Sequence, residues 1–170
     1  MISIIEKGNL LESIEKHSLD GLQNAANGKG PLGRGIAGAI KQYGGKEIQD
    51  DAYKVCNAND PQPGEAYSTI SGKLQDKGVT RIIHAVTMKQ PGGRTDYNII
   101  GNAFKAALAL ARKEGITRLG CTALGTGIGG LDAEKVAEIM FNIADKEEGI
   151  DVVFIDINET FINKLKELYL

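Results

Sequence analysis

Between Ile82 and Val86 the chain reads Ile-Ile-His-Ala-Val, and the wider segment Thr80–Val86 (TRIIHAV) offers no alternation of apolar and polar residues. A strand with one wet face alternates, so this one is expected to be covered on both faces. Helices packed on each side of a sheet cover it in that way, and the rest of the chain supplies them in turn. Strands are predicted at Met1–Glu6, Leu19–Ala26, Ala66–Ser71, Thr80–Val86, Ile116–Ala123 and Asp151–Asp156. Helices are predicted at Leu10–Lys16 with Asn9 as N-cap, Gly33 or Arg34 to Tyr43, Lys46–Cys56, Tyr97–Lys113, Leu131–Lys146 and Glu159–Tyr169. Alternating strands and helices give an α/β fold on a largely parallel sheet, whose ligands bind beyond the carboxyl ends of the strands. At 170 residues, one domain spanning 1–170 is expected.

Glycine supplies the second constraint. It occurs 22 times, and 13 of these fall in two short windows, eight from Gly21 to Gly45 and five from Gly120 to Gly130. No G-X-Y period is present, which excludes collagen. Each window follows a predicted strand, so both lie on the ligand-binding edge. Neither Gly21–Gly45 nor Gly115–Leu131 contains an Asp or Glu, whereas Lys29, Arg34, Lys41 and Arg118 bring positive charge. Glycine-rich backbone lets successive N–H groups converge on one point, and a following helix adds its positive end. Such an arrangement suits phosphate oxygens, and two of them face to face suit a diphosphate.

Other classes fit less well. Gly33-Arg34-Gly35-Ile36-Ala37-Gly38 matches G-x-G-x-x-G, but a loop separates it from its strand and no acidic residue closes the next strand. Neither window carries the G-K-[ST] of a Walker A loop. Cys56 and Cys121, like His17 and His84, are too far apart for a zinc motif, so no metal and no cofactor are expected. A net charge of −2 and 5% aromatic residues disfavour nucleic acid as a partner. No run of 18 apolar residues and no charged-then-apolar leader is present, so a cytoplasmic, monomeric chain without membrane contact is expected.

The glycine loops, with Asn24-Ala25-Ala26-Asn27 before the first and Thr122–Gly130 (TALGTGIGG) as the second, resemble the macro domain family. Arg81–Val86 with His84 is similar to a further strand of that family, and the resemblance extends from about Gly8 to Leu168. It implies a three-layer α/β/α sandwich with a mixed, mostly parallel central sheet, and binding of ADP-ribose or ADP-ribosylated macromolecules. By the same resemblance, Asn9 accepts from the adenine amino group, Leu10 lines the adenine pocket, and Phe154 or Ile155 in the last strand packs on adenine. Asn24 and Asn27 join the site, with Asn27 on the distal ribose. Gly33, Arg34, Gly35 and Ile36 wrap one side of the diphosphate, and Gly125, Thr126, Gly127, Ile128 and Gly129 the other. Hydrolysis of ADP-ribosyl bonds or of ADP-ribose 1''-phosphate is one implied activity, with Asn27 and His84 as candidate catalytic residues. Ala37 stands where the hydrolytic subgroup places an Asp, which leaves a non-catalytic reader, or another nucleotide-binding or RNA-binding domain, as alternatives. A core histidine is the competing reading of His84, and a turn former that of Asn27.

Overall fold

The computed structural model describes residues 1–170. Six strands form one sheet: β1 (Ile2–Lys7), β2 (Gly21–Asn27), β3 (Ala66–Ile70), β4 (Arg81–Met88), β5 (Arg118–Cys121) and β6 (Asp151–Asp156). Their spatial order is β1-β6-β5-β2-β4-β3, and every neighbouring pair is parallel except β3 with β4. Five helices cover it: α1 (Gly35–Gly44), α2 (Lys46–Asn59), α3 (Tyr97–Lys113), α4 (Ala133–Asp145) and α5 (Glu159–Tyr169). All six interior residues of β4 are buried, as its unbroken apolar run requires.

Strand residues that share a face sort the core into layers. Ile83, Ala85, Leu119, Cys121, Val152 and Phe154 pack beneath α3, α4 and α5. Leu22, Ile82, Val153 and Ile155 point the other way, against Ile40 of α1 and Ile48 of α2. The result is a three-layer α/β/α sandwich. Within α3 the stripe Ile100, Ala103, Phe104, Ala107, Leu108 and Ala111 repeats at three and four residues, which turns one face of the helix to the sheet.

Three of the differences from the predicted elements bear on the site. The helix expected from Leu10 to Lys16 is a 3-10 turn at Leu11–Ser13, and Ser18 takes a left-handed conformation (φ 53°) that sends the chain back into β2. Helix α4 begins after Leu131 because the Asp132 carboxylate accepts the N–H groups of Glu134 and Lys135. Strand β5 is half the expected length. It pairs with β2 only at Gly21↔Leu119 and Leu22↔Gly120, and beyond these residues the ladder ends.

That divergence sets the position of the site. From β2 the chain runs out to β3 at the sheet edge, returns to fill the gap with β4, then crosses to add β5 and β6 on the opposite side. The order reverses between β2 and β5, and the crevice above such a reversal is where ligands bind in open parallel sheets.

Candidate functional site

The first loop leaves β2 through Asn27. Its Oδ1 accepts the N–H groups of Lys29 and Gly30, both at 2.9 Å, and its Nδ2 donates to the Pro31 carbonyl at 3.1 Å. Buried Gln49 of α2 completes the framework, accepting from Leu32 N–H at 2.8 Å and donating to the Gly30 carbonyl at 2.9 Å. Asn27 is thus the organiser of its own turn, and one Nδ2 hydrogen is left over.

Beyond Leu32 the pattern changes. None of the main-chain N–H groups of residues 33–37 donates to another group of the protein. Helices α3, α4 and α5 each start with a side-chain cap, from Asp96, Asp132 and Asn158 respectively, whereas α1 has none behind its N-cap residue Arg34. Gly35 sits at φ 58°, in the left-handed region, which opens the first turn of α1 outward. Five amides and the positive end of a ten-residue helix therefore stand without protein partners beyond the carboxyl end of β2.

The second loop repeats the arrangement over β5. The N–H groups of residues 125–129 also have no partner in the protein. The loop closes on itself through Leu131 N–H to the Gly125 carbonyl and Gly130 N–H to the Gly127 carbonyl, both 3.0 Å. Gly125, at φ 73°, is wedged against Ile100 and Leu131, so its lack of a side chain is a packing requirement. Gly127 is the opposite case, with no atom within 4 Å of where a Cβ would stand, and Ile128 at the tip is 64% exposed. No carboxylate lies in either loop, and Arg34 has no ion-pair partner. The expected contribution of Arg118 is corrected. It lies at the amino end of β5, bound to the His17 carbonyl at 2.8 Å and to Asp151 at 3.2 Å.

Other expected site residues turn inward. His84 is fully buried: Nε2 lies 2.9 Å from Thr69 Oγ1, Nδ1 lies 3.0 Å from Asn24 Nδ2, and the ring stacks on Tyr67 at 4.5 Å. Because Asn24 Nδ2 can only donate, Nδ1 accepts and the proton sits on Nε2, which donates to the Thr69 hydroxyl. Burial pushes the imidazole down to about pKa 3, so it is neutral and has no free nitrogen for a substrate. The catalytic expectation for His84 therefore gives way to the core reading. Asn24, also fully buried, is spent on the same brace across β2, β4 and β3. Phe154 is enclosed between Phe104 and Phe161, with ring centroids 6.1 and 6.0 Å away, so it cannot pack on a ligand.

At the far end of the edge, Asn9 Oδ1 accepts the N–H groups of Leu11 (2.9 Å) and Glu12 (3.2 Å), capping the 3-10 turn. Leu10 and Ile155 are buried in the core layer against α1 and α2. The exposed apolar side chain beside them is Ile157, 76% accessible, at the carboxyl end of β6. Sequence reading missed it. An apolar residue just beyond a strand whose own residues are all needed inside was the available signal. Cys121 is buried and its thiol is pushed well above its ordinary value, so it is no nucleophile. No group of three or more metal-ligating side chains converges anywhere, and no helix is long and apolar enough to cross a membrane.

Two glycine loops with unpartnered amides thus stand over the strand-order reversal of an α/β/α sheet. The macro domain family profile matches residues 23–140, and the chain belongs to that family. An uncharacterised protein of Aquifex aeolicus is 36% identical over 154 residues, covering 88% of this chain and 89% of its own. The macrodomain of Mycobacterium tuberculosis DarG has a TM-score of 0.76 at 24% identity, over 91% of this chain and 99% of that one. A point mutant of the Oceanobacillus iheyensis macrodomain with ADPR has a TM-score of 0.78 at 20% identity, over 98% and 95%. At those identities the two structures establish the likeness of fold.

Proposed function

We propose that this chain is an ADP-ribose-binding macro domain that reads free or macromolecule-linked ADP-ribose. The observation that carries this reading is the pair of unpartnered amide runs, residues 33–37 and 125–129, in the segments that follow adjacent strands β2 and β5 at the sheet reversal. A diphosphate bridge carries acceptor oxygens in two directions, which matches two opposed sets of donors. The spare Nδ2 hydrogen of Asn27 stands at the root of the first loop for a ribose hydroxyl, and Ile157 offers an apolar surface for the base at the other end of the edge. The O. iheyensis structure carries ADPR on the same fold.

Binding without turnover is favoured over hydrolysis by the side chains at hand. Activation of water requires a group that can take a proton. His84 is locked in the core, and Ala37 stands where an acidic residue would serve.

Calorimetry with ADP-ribose, ADP and oligo(A) tests the ligand. ADP-ribose is expected to bind most tightly, and a preference for oligo(A) would replace this reading with single-strand recognition. Incubation with a mono-ADP-ribosylated protein tests turnover. A reader retains the conjugate, and multiple rounds of released ADP-ribose would make the chain a hydrolase.

A further inference from the structure

We infer that Gln23 is a positioning residue that fixes the spacing between the two glycine loops; the inference rests on the proposed diphosphate grip and assigns one residue to its geometry. The ladder between β2 and β5 stops at Leu22↔Gly120. At the next position along β2, the side chain of Gln23 takes over, its Nε2 donating to the Thr122 carbonyl at 3.1 Å. The same peptide unit is held from the opposite side, where Ala123 N–H donates to Asp156 Oδ2 of β6 at 2.8 Å. One peptide group, at the root of the second loop, is therefore pinned on both edges by side chains in place of backbone.

The choice of Gln is informative. It is fully buried, and its Oε1 has no partner. An orphaned buried oxygen is destabilising, so an apolar side chain of the same volume would serve the core as well or better. What the amide adds is one directed donor across the split between the strands. Without it the Thr122 carbonyl loses its tie to β2, and the second loop is anchored to β6 alone.

Two variants separate this role from general stability. Gln23→Met keeps the volume and removes the donor. Gln23→Glu restores a donor only when protonated, because an O–H can reach the Thr122 carbonyl and a carboxylate cannot donate. Spin labels at Arg34→Cys and Ile128→Cys report the spacing between loops by pulsed electron resonance without any ligand. The native Cys56 and Cys121 are buried and stay unlabelled. A single narrow distance distribution is expected in the parent, a broadened one in Gln23→Met, and in Gln23→Glu a broad distribution at about pH 8 that narrows at about pH 5 as burial favours the protonated acid. The flanking titratable groups, the Asp156 carboxylate and the Cys121 thiol, are common to all three proteins, so the parent at both pH values subtracts their effect.

In unlabelled protein, ADP-ribose affinity is expected to fall about tenfold in Gln23→Met, with inorganic phosphate, which needs one loop only, changed little. A parent-like distribution in folded Gln23→Met, or a Gln23→Glu distribution indifferent to pH, overturns the inference. If Gln23→Met does not fold, the pH response of Gln23→Glu decides. If the parent does not bind ADP-ribose, the proposed function fails, while the label distances still judge the strut.

Discussion

Replacing Gly127 by Glu puts a negative charge into the second loop with almost no structural cost. No protein atom lies within 4 Å of the position its Cβ would take, and Gly127 is absent from the glycines at positive φ, so the backbone accepts a side chain. The hydrogen bond at this residue is accepted by its carbonyl and is untouched. A carboxylate extending from here would lie about 5 Å from the phosphates, where each like-charge pair costs about 3 kcal/mol at an effective dielectric of about 20. The open rim screens roughly half of that. Over two phosphate charges, about 3 kcal/mol remains, or about a hundredfold in Kd. Titration calorimetry with ADP-ribose at low and high salt measures it, with Gly127→Gln as the uncharged control of equal size. The Glu variant is expected to bind about a hundredfold more weakly, with part of the loss recovered in salt, while Gln loses far less. Parent-like affinity in folded Gly127→Glu would remove the second loop from the site, and equal losses for Gln and Glu would refute the electrostatic reasoning.

Other substitutions probe the remaining parts. Gly125→Ala places a Cβ 2.8 Å from Ile100 Cδ1 at φ 73°, and thermal unfolding is expected to show a loss of about 1–3 kcal/mol. His84 has a folded pKa far below the 6.5 of the unfolded chain, so the unfolded state takes up its proton first. Its contribution is fully present above pH 6.5 and is lost as pH falls toward 3. Urea denaturation at pH 7 and pH 5 is expected to show about 2 kcal/mol more loss for the parent than for the non-titrating His84→Gln, and equal losses would mean that His84 is not buried neutral. Phe154→Ala is expected to cost about 3–5 kcal/mol of stability, whereas Ile157→Ser leaves stability within about 0.5 kcal/mol and weakens ADP-ribose more than ribose 5-phosphate.

The sandwich was legible because the unbroken apolar run at Ile82–Val86 demands cover on both sides, and the glycine windows because each follows a strand. What stayed hidden is what depends on pairing at a distance. In a strand buried on both faces nothing polar marks which side a residue takes, so Phe154 reads as a candidate for the ligand although it belongs under α3 and α5. His84 needs Asn24 and Thr69 from two other strands, and only the register of β2, β4 and β3 brings them together. Arg118 counts toward the second loop by proximity along the chain, yet a strand's length separates its side chain from that loop. Gln23 carries no motif at all. Its importance arises from the place where two strands part.

The first glycine loop is shaped by Asn27 and by Gln49, a residue of the second helix, whereas the crown of the other is closed by only two main-chain bonds. One jaw of this cleft is therefore cast during folding and the other retains some give. Ligands that share a pyrophosphate but differ in bulk beyond it would be met by movement on the side of Ile128, with little disturbance beside Arg34.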